Sequence, residues 1–218
     1  MTMSRTALLA AALLALAACK GSTDPDPDPA LAAGEDRFDT PSLTSYTPYT
    51  DGGYDWSIQG GALVGTGPGI QAVLIRNGTA MADGWVETVS SGADDGGLVL
   101  RFQDGTHYYL LAFRDDGAPF PRGGENLAVY HHVGSAYHQM WVEDLSWPRG
   151  TSHVIRFEAA GNLLRVYFDG VQRVELGLSP VINDPTPYTG SGGVGVRYYG
   201  QDGSWITRFD NFRWNPVR

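Results

Sequence analysis

The stretch Gly97-Leu-Val-Leu-Arg-Phe-Gln-Asp-Gly-Thr-His-Tyr-Tyr-Leu-Leu111 decides the fold of this 218-residue chain. Two apolar runs flank Asp104-Gly105, and Asp-Gly is a preferred centre for the type I′ turn that joins antiparallel strands. A two-residue turn at this pair places Leu100 opposite Tyr109 and Arg101 opposite Tyr108. The segment therefore predicts a β-hairpin.

Alternation along this hairpin assigns each side chain to a face, because successive side chains of a strand point to opposite sides of the sheet. The core face is predicted to carry Leu98, Leu100, Phe102, Tyr109, Leu111 and Phe113. The opposite face then carries Val99, Arg101, Gln103, Tyr108, Leu110 and Arg114. A slip of one residue in the pairing would exchange the two faces.

Short apolar runs continue from about residue 35 to residue 218, separated by Gly, Asp and Pro clusters and without a helical period. Strands are predicted at residues 56–58, 62–65, 71–76, 85–89, 97–103, 108–114, 127–133, 137–143, 154–158, 163–168, 171–176, 193–199 and 205–214. Many short strands at regular spacing are typical of an all-β sandwich or barrel. The length of residues 35–218 suits one large antiparallel two-sheet sandwich domain.

The composition narrows the classes of partner. The chain has 24 acidic and 15 basic residues and a formal net charge of −9. Such a charge repels phosphates, so nucleic acid is excluded as the expected partner. The 42% hydrophobic and 11% aromatic content indicates a packed core and argues against disorder.

The N-terminus predicts export. Arg5 precedes an apolar run at residues 7–18, which is too short to span a bilayer as a helix and is typical of a signal peptide. The run ends Leu16-Ala17-Ala18-Cys19, which resembles the lipobox of bacterial lipoproteins and implies lipidation of Cys19. The alternative is an ordinary secretory signal with an incidental cysteine. Residues 1–18 are therefore predicted to be removed.

Residues 19–34 are predicted to be a lipidated Cys followed by a disordered linker, because they include Asp24-Pro-Asp-Pro-Asp-Pro29. Alternating Pro favours an extended spacer. By the same lipoprotein resemblance, Lys20 after the Cys implies delivery to the outer membrane of a bacterial envelope, with the domain facing the periplasm or the cell surface. The lipid alone would then make the membrane contact.

A second hairpin is predicted over residues 127–143, with a type II′ turn at Gly134-Ser135. Its core face would carry Leu127, Val129, Met140 and Val142. The other face would carry Ala128, Tyr130, His132, Tyr137, Gln139 and Trp141. So many rings on the face away from the core are unusual for a solvated sheet.

Several segments together resemble one superfamily. They are the opening stretch, Leu163-Leu-Arg-Val-Tyr-Phe-Asp-Gly170, Gly193-Val-Gly-Val-Arg-Tyr-Tyr199 with Phe209-Asp-Asn-Phe212, and Trp56-Ser-Ile-Gln-Gly-Gly-Ala-Leu63. The domain is similar to the concanavalin A-like jelly rolls of lectins, glucanases and laminin G domains. The resemblance implies two packed antiparallel sheets, with sugars or proteins bound on the concave face or at a rim.

The aromatic and polar side chains of the two hairpins predict a saccharide groove. Aromatic rings stack on the C–H faces of sugars, while Arg, Gln and His bond to the hydroxyl groups. The candidate carbohydrate-binding residues are Arg101, Tyr108, Tyr130, His132, Tyr137, Gln139 and Trp141. The alternative is that the rings pack under a loop such as residues 119–125 or form cross-strand pairs.

The superfamily resemblance also implies a structural Ca²⁺, with an acid of the last strand meeting oxygens from the N-terminal segment. Asp210 matches that position, and Asp36, Asp39 and Glu35 offer partners, since calcium prefers oxygen ligands. The apolar positions shift parity around Asp210-Asn211, which predicts a β-bulge there. The alternative is an Asp210 that pairs with Arg208 or Arg37, or that caps a turn.

The pattern of acids does not favour catalysis. Glycosidases need two paired carboxylates, whereas Glu87, Glu125, Glu143, Asp144 and Glu158 are isolated and lack the Glu-x-Asp-x-x-Glu run of related glucanases. In the predicted register His131 faces His138 while His132 points to the other side, so these histidines are predicted to be structural and not zinc ligands. The expected function is a non-catalytic, envelope-anchored carbohydrate-binding lipoprotein. A glycoside hydrolase or related glycan-processing enzyme, and an adhesion or scaffold module with a protein partner, are the alternatives.

Overall fold

The computed structural model describes residues 33–50, 55–67, 71–92, 95–114, 127–145, 147–148, 150–200 and 206–217. The predicted signal peptide, Cys19 and the predicted linker up to residue 32 lie outside these residues. Within the described ranges every regular element is a strand, and no helix is long and apolar enough to cross a membrane.

The strands are β1 (Gly34–Asp36), β2 (Tyr46–Thr50), β3 (Asp55–Gln59), β4 (Ala62–Thr66), β5 (Ala72–Arg76), β6 (Gly84–Ser90), β7 (Gly96–Asp104), β8 (His107–Phe113), β9 (Leu127–Val133), β10 (Ala136–Glu143), β11 (His153–Ala160), β12 (Leu163–Phe168), β13 (Val171–Gly177), β14 (Gly193–Tyr198) and β15 (Ile206–Pro216). All thirteen strands predicted from the sequence are confirmed to within a few residues. The short strands β1 and β2 were not predicted.

The strands form two antiparallel sheets. Sheet A has the order β13-β12-β11-β6-β15-β4-β3, and β1 also pairs with β15. Sheet B has the order β10-β9-β8-β7-β14-β5-β2. One hydrophobic core joins the inner faces, with Val86, Phe157 and Phe209 from sheet A and Leu98 and Val196 from sheet B. The predicted all-β two-sheet sandwich is therefore confirmed.

A bulge in β7 changes the predicted faces of the first hairpin. Leu100 pairs with Tyr109 as predicted, but Asp104 pairs with His107, so β7 has three residues between these two pairs where β8 has one. Arg101 occupies this bulge with a φ of 51°, in the left-handed region. The prediction that Phe102 shares the core face is wrong, because Phe102 packs with Val99, Tyr108 and others on the opposite side of sheet B.

Arg101 is also not on the predicted face. Its side chain is fully buried and donates hydrogen bonds to the carbonyl oxygens of Ala82, Gly161 and Tyr188 at 2.7 to 2.9 Å. The guanidinium also pairs with Asp83 at 3.3 Å. Burial lowers the pKa of Arg101, although Tyr109 and Asp83 oppose the effect. Arg101 thus ties together the loops at one end of the sandwich.

A second bulge changes the predicted faces of β10. Ala136 pairs with Val133, which confirms the turn at Gly134-Ser135, and Gln139 pairs with Tyr130. The register then shifts, so that Trp141 pairs with Val129 and packs against the core between the sheets. The prediction that Trp141 shares the face of Tyr137 is therefore wrong. The bulge predicted at Asp210-Asn211 is confirmed by a register shift in β15 and a φ of 49° at Asn211.

Candidate functional site

The outer face of sheet B carries a cleft of about 660 Å³. We call it the aromatic cleft, and it is lined by Tyr49, Gln71, Val73, Gly105, Thr106, Tyr108, His132, Gly134, Ser135, Tyr137 and Tyr199. The two hairpin turns close to Gly105 and Gly134 form part of its wall. Its size is in the range typical of small-ligand sites.

A chain of hydrogen bonds runs across the cleft. The Gln71 side-chain amide donates to the Tyr108 hydroxyl. The hydroxyl groups of Tyr108 and Tyr137 are 2.6 Å apart and share a second hydrogen bond. Strands β8 and β10 and the residue that precedes β5 are thus joined through polar atoms that line the cleft.

The rings of the cleft are packed against one another. Tyr137 stacks on His132 with 4.2 Å between ring centroids, and His132 lies 4.7 Å from Tyr108. Tyr130 meets Tyr137 edge-on at 6.0 Å. Tyr108 and His132 are buried, whereas Tyr137 is 38% exposed. Tyr137 is therefore the ring that this cluster presents to solvent.

A buried ion pair lies on the same face of sheet B. Arg197 on β14 pairs with Asp95, and both residues are 7% exposed. Burial alone would lower the pKa of Arg197, but the Asp95 carboxylate outweighs it and raises the pKa above the ordinary value. The guanidinium also lies 5.0 Å from the ring of Tyr199, in the cleft wall. The pair thus supports one side of the cleft.

Gly97 leaves room for this arrangement. A Cβ atom at Gly97 would come within 2.6 Å of Leu110 Cδ1 and within 3.5 Å of Arg197 Cβ. A side chain at this position would therefore displace the residues packed around Arg197.

Three of the predicted carbohydrate-binding residues line the aromatic cleft: Tyr108, His132 and Tyr137. Tyr130 packs beside them, and Gln139 is exposed opposite Tyr130 on β10. Arg101 and Trp141 are not brought there, because each bulge redirects one of them away from the outer face. Tyr137 and His132 are directly opposite one another, so these two rings also form the cross-strand pair predicted from the sequence as the alternative to a saccharide groove.

Sequence reasoning missed Tyr49, Gln71, Tyr199 and the Arg197–Asp95 pair. For Arg197 and Tyr199 a signal existed, since they alternate with Val196 and Tyr198 along the last residues of the β14 segment. For Tyr49 no comparable signal existed, because β2 contains Pro48 and lacks an apolar alternation.

The fold matches known structures at low sequence identity. A Bacillus subtilis protein of unknown function with a galectin-like fold has a TM-score of 0.63 and 12% identity, covering 84% of this chain and 96% of that one. The carbohydrate-binding module CBM66 from Bacillus subtilis has a TM-score of 0.57 and 14% identity, covering 80% and 94%. The β-glucanase of Bacillus licheniformis has a TM-score of 0.57 and 12% identity, covering 85% and 99%.

The chain has a concanavalin A-like jelly-roll fold. No protein-family model matches it, and no curated protein matches it in sequence. The likeness therefore establishes the fold of this concanavalin A-like domain, while its activity has to be argued from the site.

The calcium site expected of a concanavalin A-like domain stays a prediction. β1 does lie beside β15, with Asp36 opposite Phe212. However, the Asp36 carboxylate accepts hydrogen bonds from Phe38 N and the Tyr46 hydroxyl, and Asp210 accepts one from Asn211 N. Asp39 is exposed and Arg37 pairs with Glu35. Among the described residues, no three His, Cys, Asp or Glu side chains are arranged to hold a metal ion.

His131 lies on the inner side of the domain, opposite His138 as predicted. It is buried and bonds to Asp184 at 2.7 Å, while the Tyr109 hydroxyl donates to the same carboxylate at 2.6 Å. Burial raises the pKa of Asp184, but the hydrogen bonds from His131, Tyr109 and the Thr186 backbone outweigh it and lower the pKa below its ordinary value. This cluster fastens the segment after β13 to sheet B.

The isolated acids that the structure describes lie outside the aromatic cleft. Glu87 pairs with Arg156 and Arg213 on sheet A, and Glu158 pairs with Arg165. Glu143 pairs with Arg173, while Asp144 is exposed and Glu125 lies outside the described residues. Among the described lining residues of the aromatic cleft, none is an Asp or a Glu.

Proposed function

We propose that the aromatic cleft binds a carbohydrate and does not catalyse a reaction on it. The observation that carries the proposal is the cleft itself, where tyrosine and histidine rings lie beside hydroxyl and amide groups in one concavity of about 660 Å³. A sugar offers the complementary surface, with apolar C–H faces for the rings and hydroxyl groups for the polar atoms.

Tyr137 is assigned the principal stacking role. It is the most exposed of the clustered rings, and His132 supports it from behind at a centroid distance of 4.2 Å. Gln71, Tyr108 and His132 are assigned hydrogen-bonding and supporting roles. Two structurally similar proteins are by name a carbohydrate-binding module and a β-glucanase, which is in keeping with a glycan ligand.

The proposal is for binding because the described lining has no carboxylate, and hydrolysis by the usual mechanism needs two. We further propose that the domain is exported and anchored to the bacterial outer membrane through a lipid on Cys19. Mass spectrometry of the N-terminal peptide from the membrane fraction tests the anchor, and a peptide with an unmodified Cys19 would contradict it.

The binding proposal is tested on a glycan array, with the purified protein and the variant Tyr137→Ala. The matched control is Tyr167→Ala, because Tyr167 lies on the outer face of sheet A beside Arg156. We expect the wild type and the control to bind the same glycan and Tyr137→Ala to lose at least tenfold in affinity. Equal affinity of all three proteins would exclude the aromatic cleft as the site. Absence of binding to any glycan would instead favour a protein partner.

A further inference from the structure

Two aliphatic side chains project into solvent from the segment that follows β13. Val181 is 91% exposed and Ile182 is 83% exposed. They are the most exposed of the large hydrophobic residues among the described ranges, and they are adjacent in sequence. We call Val181 and Ile182 the aliphatic tip.

Hydrogen bonds fix the backbone of the aliphatic tip. The Ser179 carbonyl oxygen accepts hydrogen bonds from the backbone N–H groups of Ile182, Asn183 and Asp184 at 2.9 to 3.3 Å. Two residues beyond the tip, the buried Asp184 carboxylate is fixed by Tyr109 and His131. The fold therefore displays these two side chains, although exposure of apolar surface costs free energy.

The segment that carries the tip presents no charge to solvent. Within residues 178–192 the only charged residue is Asp184, and it is 1% exposed. An uncharged segment with exposed aliphatic residues suits the apolar boundary of a lipid bilayer, where a charge would be expensive to insert.

The tip also lies at the end of the sandwich where the chain enters the domain. Gly34 pairs with Trp214 near the end of β15, and Pro216 pairs with Gly84. At this same end Gly161 N donates to the Asp83 carboxylate, and Leu178 N donates to the Asn162 carbonyl oxygen. Gly34 and the start of residues 178–192 therefore lie at the same end of the sandwich.

We propose that the aliphatic tip inserts into the surface of the bilayer to which the chain is anchored. This inference rests on the proposed lipidation of Cys19. Fourteen residues lie between Cys19 and Gly34, and at about 3.1 Å per residue an extended linker spans roughly 45 Å, which is long enough to let this end reach the surface. The chain carries a formal net charge of −9, so the favoured surface is a zwitterionic one and not an anionic one.

The test places an environment-sensitive fluorophore on Ile182→Cys in the full, lipidated chain reconstituted in phosphatidylcholine vesicles. Lipidation uses the thiol of Cys19, the only native cysteine, so the introduced thiol is labelled selectively. The matched control is Val171→Cys, because Val171 is also an exposed aliphatic residue of sheet A (58%) but begins β13 at the opposite end of the sandwich. We expect a blue shift and quenching by lipid-borne quenchers at position 182 only. Addition of Val181→Asp should abolish both effects.

Each other outcome overturns the inference. If the protein floats with the vesicles but the labels at positions 171 and 182 both emit as in water, the lipid anchor is supported and insertion of the tip is excluded. If the protein does not float, the anchor fails and the tip proposal falls with it, while the glycan array still decides the function of the cleft. A blue shift that vanishes when the protein is diluted on the vesicle surface would mean that a second copy covers the tip.

Discussion

Arg173 on β13 and Glu143 on β10 form an ion pair that joins the edge strands of the two sheets. β13 ends sheet A and β10 ends sheet B. The hydrogen bond that Arg173 donates to the Glu143 carboxylate raises the pKa of Arg173, although burial opposes it. One open side of the sandwich is thus closed by two side chains in place of backbone hydrogen bonds.

We expect this pair to contribute modestly to stability, because both side chains keep about a quarter of their surface exposed. Arg173→Gln and Glu143→Gln should each lower the free energy of unfolding, with a coupling energy of about 0.5–1 kcal/mol in a double-mutant cycle. Urea unfolding measures this coupling. A coupling energy of zero would show that the two edges are held together by the core alone.

The Asp184 cluster predicts an acid-sensitive contribution to stability. The folded pKa of Asp184 is lowered, so its carboxylate stabilises the fold fully above its unfolded pKa of about 3.9, and this contribution is lost as the pH falls through the lower folded pKa. Asp184→Asn should cost about 2–3 kcal/mol at pH 7. The difference in melting temperature from the wild type should shrink below pH 4. A difference that is constant from pH 7 to pH 2 would contradict the assignment.

The buried Arg197–Asp95 pair predicts two unequal variants. Asp95→Asn leaves a guanidinium that cannot lose its proton, so a cost of about 3–5 kcal/mol is expected. In Arg197→Met the remaining carboxylate can take up a proton, because burial raises the pKa of Asp95. A group with a raised folded pKa loses its stabilising effect as the pH rises, so Arg197→Met should be less destabilised at pH 4 than at pH 8. Thermal unfolding at both pH values checks this order.

Trp141 and Tyr137 are expected to respond differently to truncation. Trp141 packs against the main core, so Trp141→Ala should lower stability by about 3 kcal/mol and leave the affinity of the folded protein for its glycan unchanged. Tyr137→Ala should lower the affinity for the glycan and leave the stability of the fold nearly unchanged. Affinity measured well below the melting temperature of each variant separates the two effects. A selective loss of affinity in Trp141→Ala would restore Trp141 to the ligand site.

Tyr137→Phe separates the ring of Tyr137 from its hydroxyl group. The phenyl ring keeps its stack on His132, whereas the hydrogen bond to Tyr108 is lost. We expect an affinity intermediate between the wild type and Tyr137→Ala, with a loss of only a few-fold. Isothermal titration with the glycan found on the array gives the values. A loss as large as that of Tyr137→Ala would assign the binding role to the hydroxyl group.

The strands and the sandwich could be predicted from the sequence because apolar alternation and turn residues are local signals. The bulge in β15 was also predictable, since its apolar positions change parity. The bulge at Arg101 was not, because Phe102 moves from one apolar face to another. A pattern of apolar and polar residues cannot reveal a change of face when both faces are apolar.

The same limit explains why only part of the candidate site could be predicted from the sequence. In β10 the run Met140-Trp141-Val142 is apolar throughout, so nothing local shows where the register shifts. His132 and Tyr137 were placed correctly because they are opposite one another between the Gly134-Ser135 turn and the bulge. Tyr108 shares their face because it pairs with His132. Tyr49 and Tyr199 come from strands distant in sequence, and only the order of the strands in sheet B brings them to the cleft.

The bulge in β10 also divides that strand into two parts whose side chains have different surroundings. Ala136, Tyr137 and Gln139 face solvent or the cleft, while Trp141 beyond the bulge belongs to the core. Substitutions at positions 137 and 139 leave the packing between the sheets untouched. These two positions are therefore a place where a combinatorial library could be selected for new ligands on an unchanged scaffold.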